Sequence, residues 1–223
     1  KKKEVKNWIK LNKIDIVIHL AAKVPTKFVN KNYKYANKVN YLGTKNLIDS
    51  ILETKKKVKW FFFASTSHVY KFSQKKINEK SKLKPSSLYG LTKLKAEKYI
   101  QKKLKKTKIP FCIGRIFSFT HKKQTSDFVI PGIIKKAKSN KKIVYFENTN
   151  HYRDFLSTSD VCKAINILFK KKANGIYNIG SGKKILISHI IKLIFKKYKK
   201  IYRINEKNKP TWLVSDINKI KKF

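Results

Sequence analysis

Between residues 14 and 117, three short apolar runs alternate with two longer amphipathic stretches, and this alternation leaves few architectures open. Residues 14–20 (Ile-Asp-Ile-Val-Ile-His-Leu) are β-branched and strand-length, and end at the small pair Ala21-Ala22. Residues 36–54 place Val39, Leu42, Leu47, Ile48, Ile51 and Leu52 near helical spacing. Val58 to Ala64 reads as a second strand, rich in aromatic residues. Residues 88–106 form a helix with Leu91, Leu94, Tyr99, Ile100 and Leu104 as its stripe, and Ile109 to Phe117 is a third strand. Strands apolar on both faces and separated by helices imply parallel pairing under helical cover, so the expected fold is a doubly wound α/β sheet.

Beyond Phe117 the pattern loosens. Helices are expected near 127–138, 158–170 and 186–198, with strands near 142–146 and 175–179, the last leading into Gly180-Ser181-Gly182. Residues 1–117 therefore read as the α/β domain. Residues 118–223 read mainly as a smaller lobe, with 153–180 returning to the α/β core. No repeat of fixed period is visible.

The chain carries 56 Lys+Arg against 12 Asp+Glu, a formal net charge of +44. Such a balance suggests polyanion binding. Only Arg115, Arg153 and Arg203 are arginines, however, so the forked donor that reads guanine or grips phosphate in two places is almost absent. The lysines are spread along the whole chain, and runs such as Lys1–Lys3, Lys55–Lys57 and Lys170–Lys172 fall at element ends, as solvated surface would. No specific nucleic-acid reader is expected, only salt-sensitive sticking. No apolar run reaches the about 18 residues that cross a bilayer, and no signal segment is visible, so no membrane contact and a cytoplasmic location are expected. Cys112 and Cys162 read as reduced, buried thiols. With five scattered histidines they show no metal-ligand spacing, and no metal is proposed.

Three features carry chemistry. Phe63-Ala64-Ser65-Thr66-Ser67-His68-Val69-Tyr70 puts hydroxyls just past the carboxyl end of a buried strand, the edge where open α/β sheets bind ligands. Tyr89-Gly90-Leu91-Thr92-Lys93 puts a phenol and an ammonium four apart, on one helix face. The ammonium is expected to lower the phenol's pKa and make Tyr89 a proton donor or acceptor near neutrality, with Thr66 bonding the same substrate oxygen. Arg153-Asp154-Phe155 sets one of the few arginines where it suits bidentate phosphate binding. The plainer readings are a chance Tyr–Lys spacing, helix-cap hydroxyls, a surface ion pair between Arg153 and Asp154, and His19 as a satisfied core histidine.

Taken in order, these blocks, with Asp15–Ala22, Asn40-Tyr41-Leu42-Gly43-Thr44, Arg115-Ile116-Phe117 and Tyr177–Gly182, resemble the extended short-chain dehydrogenase/reductase family of NAD(P)-dependent nucleotide-sugar epimerases, dehydratases and reductases. The resemblance implies a Rossmann-like domain over 1–117, a substrate lobe beyond it, NAD or NADP as cofactor, a nucleotide-diphosphate sugar as substrate and a homodimer. It implies Tyr89 as catalytic acid/base, Lys93 as its tuner and ribose ligand, and Thr66 as the group polarising the sugar oxygen, with Ser65 as fallback. Ala21, Ala22, Ser65, Ile116 and Phe117 would line the cofactor cleft, with Ser118 and Arg153 on the substrate.

Two departures bear on the reaction. The seven glycines at 43, 90, 114, 132, 175, 180 and 182 form no G-x-x-G-x-x-G loop. The expectation is that the family's opening βαβ unit, roughly 30 or more residues, is missing and that the chain alone holds NAD(H) weakly. Sugar 4,6-dehydratases of the family carry a carboxylate two residues past the threonine. Here Ser67 and His68 follow Thr66, so the resemblance implies epimerisation or keto-sugar reduction over dehydration. The alternatives are a polyanion-binding protein that keeps the fold, or an inactive fragment.

Overall fold

The computed structural model describes residues 2–223. Helix α1 (Lys2–Leu11) precedes strand β1 (Ile16–His19). Helices α2 (Thr26–Lys31) and α3 (Tyr33–Asn37), a π-helical stretch (Lys38–Leu42) and α4 (Gly43–Glu53) follow. Then come β2 (Trp60–Thr66), a 3-10 turn (Ser67–Val69), α5 (Leu88–Leu104), β3 (Phe111–Ile116), β4 (Ser118–Thr120) and α6 (Val129–Ala137). The remainder comprises β5 (Ile143–Glu147), β6 (Tyr152–Arg153), β7 (Phe155–Ser157), α7 (Thr158–Lys170), β8 (Gly175–Ile179), β9 (Ile185–Leu186), α8 (Ile187–Lys197), β10 (Ile201–Asn205), β11 (Trp212–Leu213) and a closing 3-10 turn (Ile220–Lys222).

The main sheet has the order β1-β2-β3-β8, all parallel. The run Trp60-Phe61-Phe62-Phe63 explains why it is covered on both sides, since alternate side chains leave opposite faces. Phe61 and Phe63 pack with Ile9 of α1, Ile48 and Ile51 of α4, and Ala96, Ile100 and Leu104 of α5. Trp60 and Phe62 pack with Leu168 of α7 and with Ala173, Tyr177 and Ile179, and the Trp60 indole donates to the Ala173 carbonyl at 2.9 Å. This is the expected Rossmann-like α/β layering. β8 lies in this sheet and α7 covers it, so the chain returns to the core after Arg153.

Strand β1 departs from the expectation of strands apolar on both faces: it stands at one end of the sheet, with Ile16 and Ile18 exposed and Val17 turned to the core. α7 packs against the middle of the opposite face and leaves those isoleucines uncovered. The helix expected over 36–54 starts earlier, with α3, and passes through the π-helical stretch. Cys162 is exposed on α7 and only Cys112 is buried, because position 162 faces away from the sheet.

The smaller lobe has its own core. α6 and α8 bury Ile133, Ala137, Ile191 and Phe195 against Val144 and Phe146 of β5, which pairs in parallel with β10. Between lobe and sheet lies a third cluster, Val69, Tyr70, Ile77, Leu94, Phe117 and Leu213. Four short strands tie the parts together: β4 pairs with β7, and β6 lies between β9 and β11.

Candidate active site

The carboxyl ends of β2 and β3 are brought level by the strand register, and β1 ends three residues short of them. His19 stands opposite Phe63, Ser65 opposite Arg115, and Thr66 opposite Ile116. Past Thr66 the chain turns at once into the 3-10 segment, capped by the Thr66 hydroxyl, which accepts from the His68 amide at 3.3 Å. The cap chemistry weighed for this hydroxyl is therefore present. The same hydroxyl lies on the Tyr89 side of this turn and favours the ionised form of the phenol.

Tyr89 is placed by the start of α5. Ser87 caps that helix, its hydroxyl accepting from the Gly90 amide at 3.0 Å, and pairs with Nδ1 of His68, also at 3.0 Å. The His68 and Tyr89 rings meet edge to face, 6.0 Å between centroids. Gly90 rests on the His68 backbone, and a Cβ there would come within 2.1 Å of its carbonyl oxygen. Helix α5 therefore starts against the turn that carries Thr66, which brings phenol and hydroxyl together.

One helical turn on, Lys93 is 1% exposed, its ammonium 4.1 Å from the centre of the Phe63 ring. Burial lowers its pKa to about 7, against an upward pull from Glu97. Among the described residues Nζ makes no hydrogen bond, and its contact is with the face of the Phe63 ring. Burial raises the pKa of Tyr89, offset in part by the Thr66 hydroxyl. This corrects the expected downward shift: the phenol is protonated at neutral pH because desolvation outweighs its neighbours, and the ammonium lies over Phe63.

His19 is a satisfied histidine, its Nε2 2.9 Å from the Thr44 hydroxyl. Burial, then the charge of Lys93, lowers its pKa to about 4. Asn40, quoted above only as part of a block, has a structural task. Its amide brackets the Lys23 backbone, accepting from N at 2.7 Å and donating to O at 3.0 Å, and also donates to Thr92 at 3.0 Å. It thereby ties the loop after Ala21-Ala22 to α5. Ala21 is exposed and Ala22 half-buried beyond the end of β1.

Of the other residues implied by resemblance, Ile116 lies beside Thr66, and Phe117 is buried with Tyr70 and Leu94. Ser118 begins β4, opposite Phe155. The Ser65 hydroxyl donates to Glu97. Arg153 is half-buried, 5.5 Å over the Phe72 ring, and donates to the carbonyls of Tyr152 at 2.8 Å and Thr211 at 3.1 Å. Burial lowers its pKa to about 10, which leaves it cationic, and its charge helps burial lower the pKa of His68 to about 4. It forms no ion pair with Asp154. That carboxylate is buried and accepts from Ser181 N at 2.7 Å, Gly182 N at 2.9 Å and Ser215 N at 3.1 Å, fixing the Gly180-Ser181-Gly182 loop. Among the described residues no carboxylate pairs with Arg153, so its charge remains available to an anion.

Glu97 was not read from the sequence as a functional residue. The signal was its place four residues past Lys93, but its partners, Ser65 and Arg115, come from other strands.

The profile of the NAD dependent epimerase/dehydratase family matches residues 1–180. The chain is 32% identical over 197 residues to a dTDP-D-glucose 4,6-dehydratase of Dictyostelium discoideum, covering 81% of this chain and 44% of that protein. It is 31% identical over 188 residues to an uncharacterized UDP-glucose epimerase, YtcB, of Bacillus subtilis, covering 82% and 58%. The chain spans about half the length of the curated relatives it matches. Among solved structures, a UDP-glucuronic acid 4-epimerase from Bacillus cereus, in complex with UDP-glucuronic acid and NAD, superposes with a TM-score of 0.85 at 25% identity. The match covers 98% of this chain and 71% of that one.

Proposed function

The chain belongs to the NAD dependent epimerase/dehydratase family, and from that premise we propose that it acts as an NAD(P)-dependent nucleotide-sugar epimerase or keto-sugar reductase through Thr66, Tyr89 and Lys93. The observation that carries this reading is the packing of the start of α5, where Tyr89 lies, against the turn that carries Thr66 at the carboxyl end of β2, with Lys93 one turn further along α5.

The residues fit a nicotinamide cofactor on one count: the Lys93 side chain is packed in the core, yet Nζ makes no hydrogen bond to the described residues, as suits a group that binds ribose hydroxyls. When bound, the cofactor supplies the hydride acceptor and donor. Tyr89 holds its proton at Oη, the form that protonates a keto-sugar oxygen as it is reduced. In the oxidative direction the Tyr89 proton must first leave to solvent, and the phenolate Oη so formed then takes the hydroxyl proton from the sugar. Thr66 orients that same oxygen by hydrogen bonding, and Ala21, Ala22, Ser65, Ile116 and Phe117 belong to the strand ends and loops around the cofactor. Arg153, cationic and without an acidic partner, suits the diphosphate of a nucleotide sugar, with Ser118 near the sugar.

Epimerisation or reduction is favoured over dehydration because no carboxylate follows Thr66. Ser67 and His68 stand there, and the nearby Glu97 carboxylate is taken by Arg115 and Ser65. The test is Tyr89→Phe in the protein supplied with NAD(P) and nucleotide sugars. Turnover should fall by about 10²–10⁴-fold while cofactor binding stays near the wild-type value. Wild-type turnover in that variant would sink the reading.

A further inference from the structure

A line of polar side chains crosses the main sheet in register beneath the candidate site. Ser65 of β2 stands opposite Arg115 of β3, and Arg115 opposite Asn178 of β8. Helix α5 lays Glu97 on this line. The Arg115 guanidinium grips its carboxylate at two points, Nε at 3.1 and 3.2 Å from the two oxygens and Nη2 at 2.7 Å from Oε2, and Ser65 donates to Oε1. From the other side Arg115 donates through Nη1 to the Tyr70 hydroxyl at 2.9 Å and the Glu79 carbonyl at 3.2 Å. Tyr70 donates to Asn178 at 2.7 Å. Glu97 and Arg115 are 0% and 1% exposed.

Such a pair is poor evidence for stability by itself, because removing two charges from water costs about as much as their attraction returns, and apolar replacements are often as stable. Its placement suggests another use. Glu97 lies four residues past Lys93, on the same helix face and equally buried.

We propose that Glu97, clamped by Arg115 and Ser65, is a positioning residue whose fixed negative charge keeps the buried Lys93, one helical turn past Tyr89, cationic. The charged and titratable groups around Lys93 are few. His19 of β1 is neutral at pH 7 and adds no charge, the phenol of Tyr89 is neutral, and Phe63 of β2 offers its ring face. Glu97 is the anion that acts on Lys93, and it is shared with the Arg115 guanidinium. A lysine buried to this degree with no counter-charge would lose its proton and with it the positive charge and the third donor that bind hydroxyls or an anion.

This inference rests on the proposed role of Lys93, but its test does not need turnover. The protonation of Lys93 is followed by NMR titration of its side-chain signals in the wild type and in Glu97→Gln, Glu97→Asp and Arg115→Met. Glu97→Gln should lower the Lys93 midpoint by about one unit or more, and Glu97→Asp should keep it near the wild-type value. Arg115→Met, which removes the competing cation and leaves the carboxylate to Lys93, should raise it. Opposite signs are expected of a charge effect, whereas a merely structural pair would disturb Lys93 alike in both. If Glu97→Gln does not fold, the rise in Arg115→Met carries the test. An unmoved midpoint in folded variants, or movement in the same direction in both, overturns the proposal. Because cofactor binding and turnover are not part of the readout, failure here leaves the catalytic reading of Tyr89 standing, and failure of that reading leaves this one standing.

Discussion

Gly90 rests on the backbone of His68 so closely that a Cβ at position 90 would meet the His68 carbonyl oxygen at 2.1 Å. That oxygen already accepts from the Ser86 amide at 2.9 Å, so it has little room to move. The contact sets the start of α5 against the turn after β2, and with it the distance between Tyr89 and Thr66. Gly90→Ala should therefore destabilise the fold by roughly 1–3 kcal/mol and shift the start of α5, with Tyr89, away from Thr66. Denaturant unfolding measures the first effect, and a wild-type midpoint would show that the contact relaxes freely.

Three helices end with a lysine in the left-handed region, a place where glycine is the usual occupant. Lys55, Lys172 and Lys199 have φ of 52°, 44° and 50°. At α7 the turn is closed by bonds from Lys172 N to Phe169 O at 2.8 Å and from Ala173 N to Leu168 O at 2.9 Å. Lys172→Gly and Lys199→Gly should each stabilise the protein by about 1 kcal/mol, since the side chain there strains the backbone. Lower unfolding midpoints in either variant would contradict this.

His19 and His68 both have pKa values lowered to about 4 from 6.5. Burial is the larger cause in each, followed by Lys93 for His19 and Arg153 for His68. The unfolded chain takes up these protons as pH falls through 6.5, whereas the folded chain resists until about 4. Between those values the unfolded state binds more protons, so stability should rise with pH across that window and level off above it. Urea midpoints measured over this range check the sign. The slope should shrink in the His19→Gln, His68→Gln double variant, and an unchanged slope would assign it to other groups.

The parts of this molecule that could be read from sequence are those where pattern and environment coincide. Trp60-Phe61-Phe62-Phe63 announces a strand buried on both faces, and the Tyr89–Lys93 spacing names one helix face, because each is a local periodicity. Ile16 and Ile18 look equally buried in sequence but stand at the end of the sheet, a matter of strand order that periodicity does not encode. Helix α1 escaped notice because its lysines hide a stripe of few apolar residues, Val5 and Ile9 reaching the core. The direction of the Tyr89 shift depends on burial, and the roles of Glu97 and Asp154 depend on partners more than 15 residues away, on other elements.

The central claim is that Thr66 and Tyr89 act on one substrate oxygen, and a double-mutant cycle on the chemical step tests it most directly. Single-turnover rates with NAD(P) and a nucleotide sugar would be compared for the wild type, Thr66→Val, Tyr89→Phe and the double variant. Two groups serving one oxygen are strongly coupled, so the double variant should be little slower than Tyr89→Phe alone. Losses that multiply would separate the two residues, and wild-type rates in either single variant would contradict the account.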